Sequence, residues 1–68
     1  MRRFYIWIMD MDRIHDLHHA LRIVDEQIAH PYDLADLIDL QHLRAAILHD
    51  AREILHRINV VEPEWCQV

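Results

Sequence analysis

The residues in this sequence that could do chemistry are first of all its histidines, seven in 68 positions. His15 and His19 stand one helical turn apart with Asp12 and Asp16 beside them. Two imidazoles and a carboxylate on neighbouring turns could approach one divalent ion. The spacing has no His-Glu-x-x-His signature and no cysteine partner, so no metal site is expected. His42, His49 and His56 recur every seven residues, which sets successive rings ~10.5 Å apart along a helix, too far to share an ion. Beside Asp39 and Glu53 they read as a solvated stripe; the functional alternative is a pH-sensing surface, with carboxylates favouring the imidazolium forms. The pairs Asp10/Asp12 and Asp33/Asp36 have the residue types of a general acid and base. They fall where helix N-caps are wanted, and capping accounts for them. Cys66 is the only cysteine. It excludes an intrachain disulfide and reads as a reduced thiol in a frayed terminus, too exposed to chance to be paired with a base. No motif implies a cofactor.

What is missing narrows the function further. The chain has no Gly, Ser, Thr or Lys. A P-loop, a dinucleotide-binding fingerprint and a Ser or Thr nucleophile are therefore out of reach, and an enzyme is not expected. Without Gly, left-handed helix C-caps and primed hairpin turns are also disfavoured. All seven permanent cations are arginines, set against twelve carboxylates for a net charge of −5. That balance repels nucleic-acid backbones. Arg2-Arg3 ahead of Phe4–Met9 has the polarity of a signal peptide, but the apolar run is too short and lacks a cleavage site. No stretch approaches the ~20 apolar residues of a membrane span, and a cytoplasmic location is expected.

The elements that must position these residues are helices. Ile14, Leu17, Leu21, Val24 and Ile28 recur at steps of three and four, a heptad seam that predicts a helix over about 11–29 with Asp10 or Asp12 as its N-cap. His30-Pro31-Tyr32-Asp33 breaks it, because a residue before proline is pushed out of the α region. A second helix is predicted over about 33–58, capped by Asp33 and ended at Asn59. Asp36 and Asp39 near its start and Arg52, His56 and Arg57 near its end suit the helix dipole, and Glu53–Arg57 forms an i,i+4 pair. Residues 3–9, aromatic and β-branched, predict a strand or extended segment; the competing helical reading has Trp7 and Met11 continuing the seam. Residues 59–68 are expected to form an extended tail.

One feature of the second helix asks for more than a hairpin. Leu40, Leu43, Ile47, Ala51, Ile54 and Ile58 centre an apolar face that Leu34, Leu37, Leu48 and Leu55 widen to roughly half the circumference, beyond the ~100° of an ordinary stripe. One antiparallel partner helix cannot cover it. The expected fold is thus all-α: a single two-helix hairpin domain over 1–68, dimerising into a four-helix bundle through Leu17, Leu21, Val24, Leu40, Leu43, Ile47, Ala51 and Ile54.

Aromatic and basic residues at the N-terminus, with Ile38 and Trp65, have no assigned place in that core. Arg3, Tyr5, Trp7, Ile38 and Trp65 are accordingly the expected contacts to another protein. In size and layout the hairpin resembles small helical-hairpin regulators of phages and plasmids, though no motif is shared. That resemblance implies docking on a larger protein to inhibit it, as anti-activators, antitoxins and defence inhibitors do. A strand before two helices also resembles the ribbon–helix–helix repressors, which gives a nucleic-acid-binding regulator as the alternative. Its helices would be too long and its ribbon short of polar base-reading residues. A histidine-based metal-binding protein stands behind both.

Overall fold

Between Arg2 and Ala29 the sequence offers no proline, no glycine and no break in periodicity, and a single helix, α1, runs through all of it. In this computed structural model the backbone is described for residues 2–67 and the side chains for residues 9–67. Segment 3–9, expected to be extended or a strand, forms the opening turns of α1. An isolated strand would leave its backbone N–H and C=O groups without partners. A helix satisfies them locally, and it is extended at little cost once nucleated. Asp10 and Asp12, expected as N-caps, consequently lie inside α1, and Asp10 is buried.

The corner at His30–Asp33 leads into α2, Leu34–Arg57. Asp33 is extended (φ −153°) and its side chain accepts a 2.7 Å bond from the Asp36 N–H. Asp36 reaches back to accept from the Tyr32 N–H at 3.0 Å. Two of the otherwise orphaned donors at the corner are thereby satisfied reciprocally, in the manner of a capping box. At the far end the Val60 N–H bonds to the Leu55 carbonyl and the Asn59 N–H to the His56 carbonyl. This is a Schellman closure with Asn59 in the left-handed region at φ 59°. The lack of glycine did not preclude a left-handed cap, because Asn tolerates that region better than any β-branched or large residue. Val60 packs back on the cluster containing Leu55, the apolar contact that usually accompanies the motif.

The helices are antiparallel: Asp10 meets Arg57 and Asp25 meets Arg44. Among the described residues two apolar clusters lie between them. Leu21, Val24, Leu40, Ile47 and Leu48 form one, toward the corner. The other, toward the open end, joins Ile14, Ala51, Ile54 and Leu55 to Cys66. Leu17 and Trp65 pack against both.

Cys66 is the unexpected member. The segment after α2 is not an extended tail; it turns back along the hairpin and ends in a 3-10 turn, Glu64–Cys66. The Arg52 guanidinium holds it there, donating from Nε and Nη2 to the Cys66 carbonyl oxygen at 3.0 and 2.6 Å. The Trp65 indole lies flat on the His18 imidazole, with ring centroids 4.3 Å apart and planes 3° from parallel. Leu48 and Leu55, which made the apolar face of α2 too wide for one partner helix, belong to the clusters that Trp65 and Cys66 complete. The chain's own tail thus takes part of the role expected of a second hairpin.

Candidate functional site

The histidines come first because their chemistry is the most versatile. His15, His19, His42, His49 and His56 are all exposed. His49 lies 3.3 Å from Glu53, one turn along α2. His18 is engaged by Trp65. Among the described residues no three of His, Cys, Asp and Glu are grouped so as to hold a metal ion.

Cys66 lies at the opposite extreme, fully buried. Burial pushes its thiol above the ordinary value of 9.0, the Glu62 carboxylate adds to the rise, and Arg52 opposes it. A nucleophilic cysteine needs the reverse, an exposed thiol whose anion is favoured.

Surface depressions indent the described part of the molecule. One, about 440 Å³, runs between the helices near the corner and is lined by Asp25, Ile28, Gln41, Arg44, Leu48 and Arg52, among others. Its cations are already engaged: Arg44 Nε donates to Asp25 at 2.8 Å and Arg52 to the Cys66 carbonyl. A second, about 230 Å³ and mostly apolar, lies under the tail between His15, His18, Val61, Pro63 and Trp65. Another, about 200 Å³, is polar and lined by Arg13, Asp50, Glu53, Ile54 and Arg57. It lies on the side of the hairpin that the tail leaves open.

Beside it is Asp10, the one buried carboxylate among the described residues. Arg57 Nη2 donates to Asp10 Oδ1 at 3.0 Å, with the Asp10 side chain 12% and the Arg57 side chain 65% exposed. Asp10 Oδ2 is buried and takes no hydrogen bond. The expected Glu53–Arg57 pair is not formed, because Arg57 turns across the hairpin to the less solvated carboxylate. Asp10 was legible as a seam position, since counting back from Ile14 and Leu17 by four and seven reaches it.

The residues expected to touch other chains divide sharply. Leu21, Val24, Leu40, Ile47, Ala51 and Ile54, expected as dimer core, are buried within a single chain. Leu17 is half-buried and Leu43 remains 49% exposed. Of the expected partner contacts, Ile38 is 46% exposed, while Trp65 is half-buried against both clusters. The side chains of Arg3, Tyr5 and Trp7 lie outside the described residues. Their backbone belongs to the turns of α1 before Asp10, which run on past the last turn of α2 by ~12 Å at 1.5 Å per residue. Leu34, 71% exposed, adds an apolar group beside the corner.

No protein-family model, curated protein or solved structure matches the chain. The geometry therefore defines a class at the level of fold: a small all-α domain with two antiparallel helices and a docked tail. No described helix is long and apolar enough to cross a membrane.

Proposed function

We propose that this chain is a protein–protein interaction module that assembles as a homodimer and docks on a larger protein to inhibit it. The observation that carries the reading is excess surface. The chain exposes 5656 Å², whereas a compact monomer of its 8.3 kDa would expose about 4,600 Å². The difference, about 1,000 Å², is of the size each partner contributes to a stable protein–protein interface, about 800 Å². The shape agrees: the molecule measures 48 × 18 × 15 Å with a radius of gyration of 13.8 Å, against about 11 Å for a compact domain of this length. The overhanging start of α1, rich in aromatics and arginine, has the composition of interface hot spots. The inhibitory sign comes by analogy with the small hairpin regulators it resembles in layout.

The test is capture of a target from the native host with the full chain as bait, followed by assay of that target's activity with and without the chain. The reading expects saturable inhibition, relieved at least tenfold by Tyr5→Ala, Trp7→Ala or Ile38→Asp in variants that remain folded. A captured protein whose activity is unchanged at saturation would remove the inhibitory role. Equal binding by all three variants would move the docking surface elsewhere.

A further inference from the structure

The tail is held by two contacts of different chemistry. Arg52 clamps the Cys66 carbonyl with a charge that pH does not change. The other contact can titrate: the His18 imidazole lies flat on the Trp65 indole, centroids 4.3 Å apart and planes 3° from parallel. His18 is half-buried, and among the described residues no ion pair engages it. On α1 its charged neighbours are His15, one turn before it, and Arg22, one turn after; Asp25, two turns on, is taken by Arg44. On α2 the residues under the tail are the apolar Leu48, Ala51 and Leu55, with Arg52 beside them. The tail itself brings Glu62, Glu64 and the Cys66 thiol, and residues 59–67 contain no arginine or histidine.

We infer that the tail is a pH-graded latch: a proton on His18 tightens its hold on Trp65, and loss of that proton loosens the tail and uncovers Cys66 with the apolar strip beneath it. Imidazole ordinarily changes charge between pH 5 and 8. The sign follows from what the tail adds when it docks. His15, Arg22 and Arg52 belong to the helices and stay near His18 whether the tail is on or off. They affect when His18 takes its proton, and to first order not what the proton does to docking. The docked tail brings an indole face, the best aromatic partner for a cation within about 6 Å of the ring centroid. It also brings two carboxylates, which favour the imidazolium. The Cys66 thiol, its pKa raised by burial, stays neutral in this range. Against these stands the loss of water from one face of the ring, a limited cost because His18 is only half-buried. The docked state therefore binds more proton than the released one. By linkage, docking strengthens as pH falls through the imidazole range and weakens as it rises. Release would expose Cys66, now fully buried, and the Ile14, Ala51 and Leu55 side chains that it packs against. The latch belongs to the single chain and requires no partner.

Cys66 is the built-in reporter, since it is the only cysteine. The full chain is treated with a pyridyl disulfide at about pH 5.5 and about pH 7.5, which bracket the imidazole range and leave the carboxylates ionised. At each pH the rate in denaturant is divided by the native rate, so that ionisation of the thiol itself cancels and the ratio reports tail opening. The parent should be protected about three- to fivefold more strongly at the lower pH, the size expected of one cation on an indole face. His18→Phe keeps a stacked ring that cannot titrate; it should stay protected and lose most of the pH dependence, with every other histidine in place. Trp65→Leu, an apolar anchor without a π face, should also respond little to pH. Protection in the parent that is flat or grows with pH overturns the latch. So does an undiminished pH dependence in His18→Phe, which would place the responsible group elsewhere. A native thiol that reacts as fast as the denatured one at both pH values overturns the docked tail and the latch together.

Discussion

Replacing Trp65 with alanine should destabilise the domain severely, although only three residues of the sequence follow it. Trp65 packs against both apolar clusters and stacks on His18 at 4.3 Å. A fully buried aromatic truncated to alanine costs about 3–5 kcal/mol. Trp65 is half-buried, which brings the expectation to about 2–3 kcal/mol. The stack alone contributes about 0.5–1.5 kcal/mol of this. A domain of this size is stable by roughly 3–10 kcal/mol in all, so the loss is a large fraction. At 4–8 °C per kcal/mol for a domain this small, the melting temperature should fall by about 10–20 °C. Thermal melts followed by far-ultraviolet circular dichroism measure it directly, and tryptophan fluorescence is less suitable because Trp7 also emits. His18→Ala, run alongside, should lose only the stack's share. A melting temperature for Trp65→Ala within about 2 °C of the parent would mean that the tail does not dock and that Leu48 and Leu55 are covered in some other way.

Three further expectations concern single groups. The Cys66 thiol should react with an alkylating reagent far more slowly in the native chain than in denaturant, and Arg52→Ala should speed the native reaction by loosening the tail. Because its folded pKa is raised, the native state holds the thiol proton more tightly than the unfolded chain does. The stability is complete below the ordinary value of 9.0 and declines as the pH rises above it; Cys66→Ala should flatten that alkaline slope. Asn59→Gly should be neutral or slightly stabilising, whereas Asn59→Val should cost about 1–2 kcal/mol, both read from denaturant midpoints, since Asn59 sits at φ 59°. Asp10→Leu should leave stability equal or higher, because a buried carboxylate in an apolar seam is replaced by a group of the seam's own kind. Arg57→Ala should lower it by stranding that carboxylate, and equal effects of the two substitutions would refute the account of the pair.

Much of the hairpin was readable from the residues because it is built from short-range relations. The recurrence of Ile14, Leu17, Leu21, Val24 and Ile28 is a property of one helix, and the break at His30-Pro31 and the cap at Asp33 are settled by neighbours within four residues. The width of the apolar face of α2 was equally plain, and so was the conclusion that one partner helix could not cover it. What periodicity cannot say is which distant surface provides the cover. The Trp65–His18 stack, the Arg52–Cys66 carbonyl bonds and the Asp10–Arg57 pair join residues 47, 14 and 47 positions apart. No local rule relates partners at such separations. Segment 3–9 shows the same limit from the other side: its composition favours a strand, yet a strand's backbone needs a neighbour, and a helix needs none. Sequence alone determined two amphipathic helices and an unpaid surplus of apolar surface on the second. The tertiary structure decided that the tail closes one side of that surplus and that Leu43 stays open on the other, because burial is settled by which surfaces meet in space and not by which residues are adjacent in the chain.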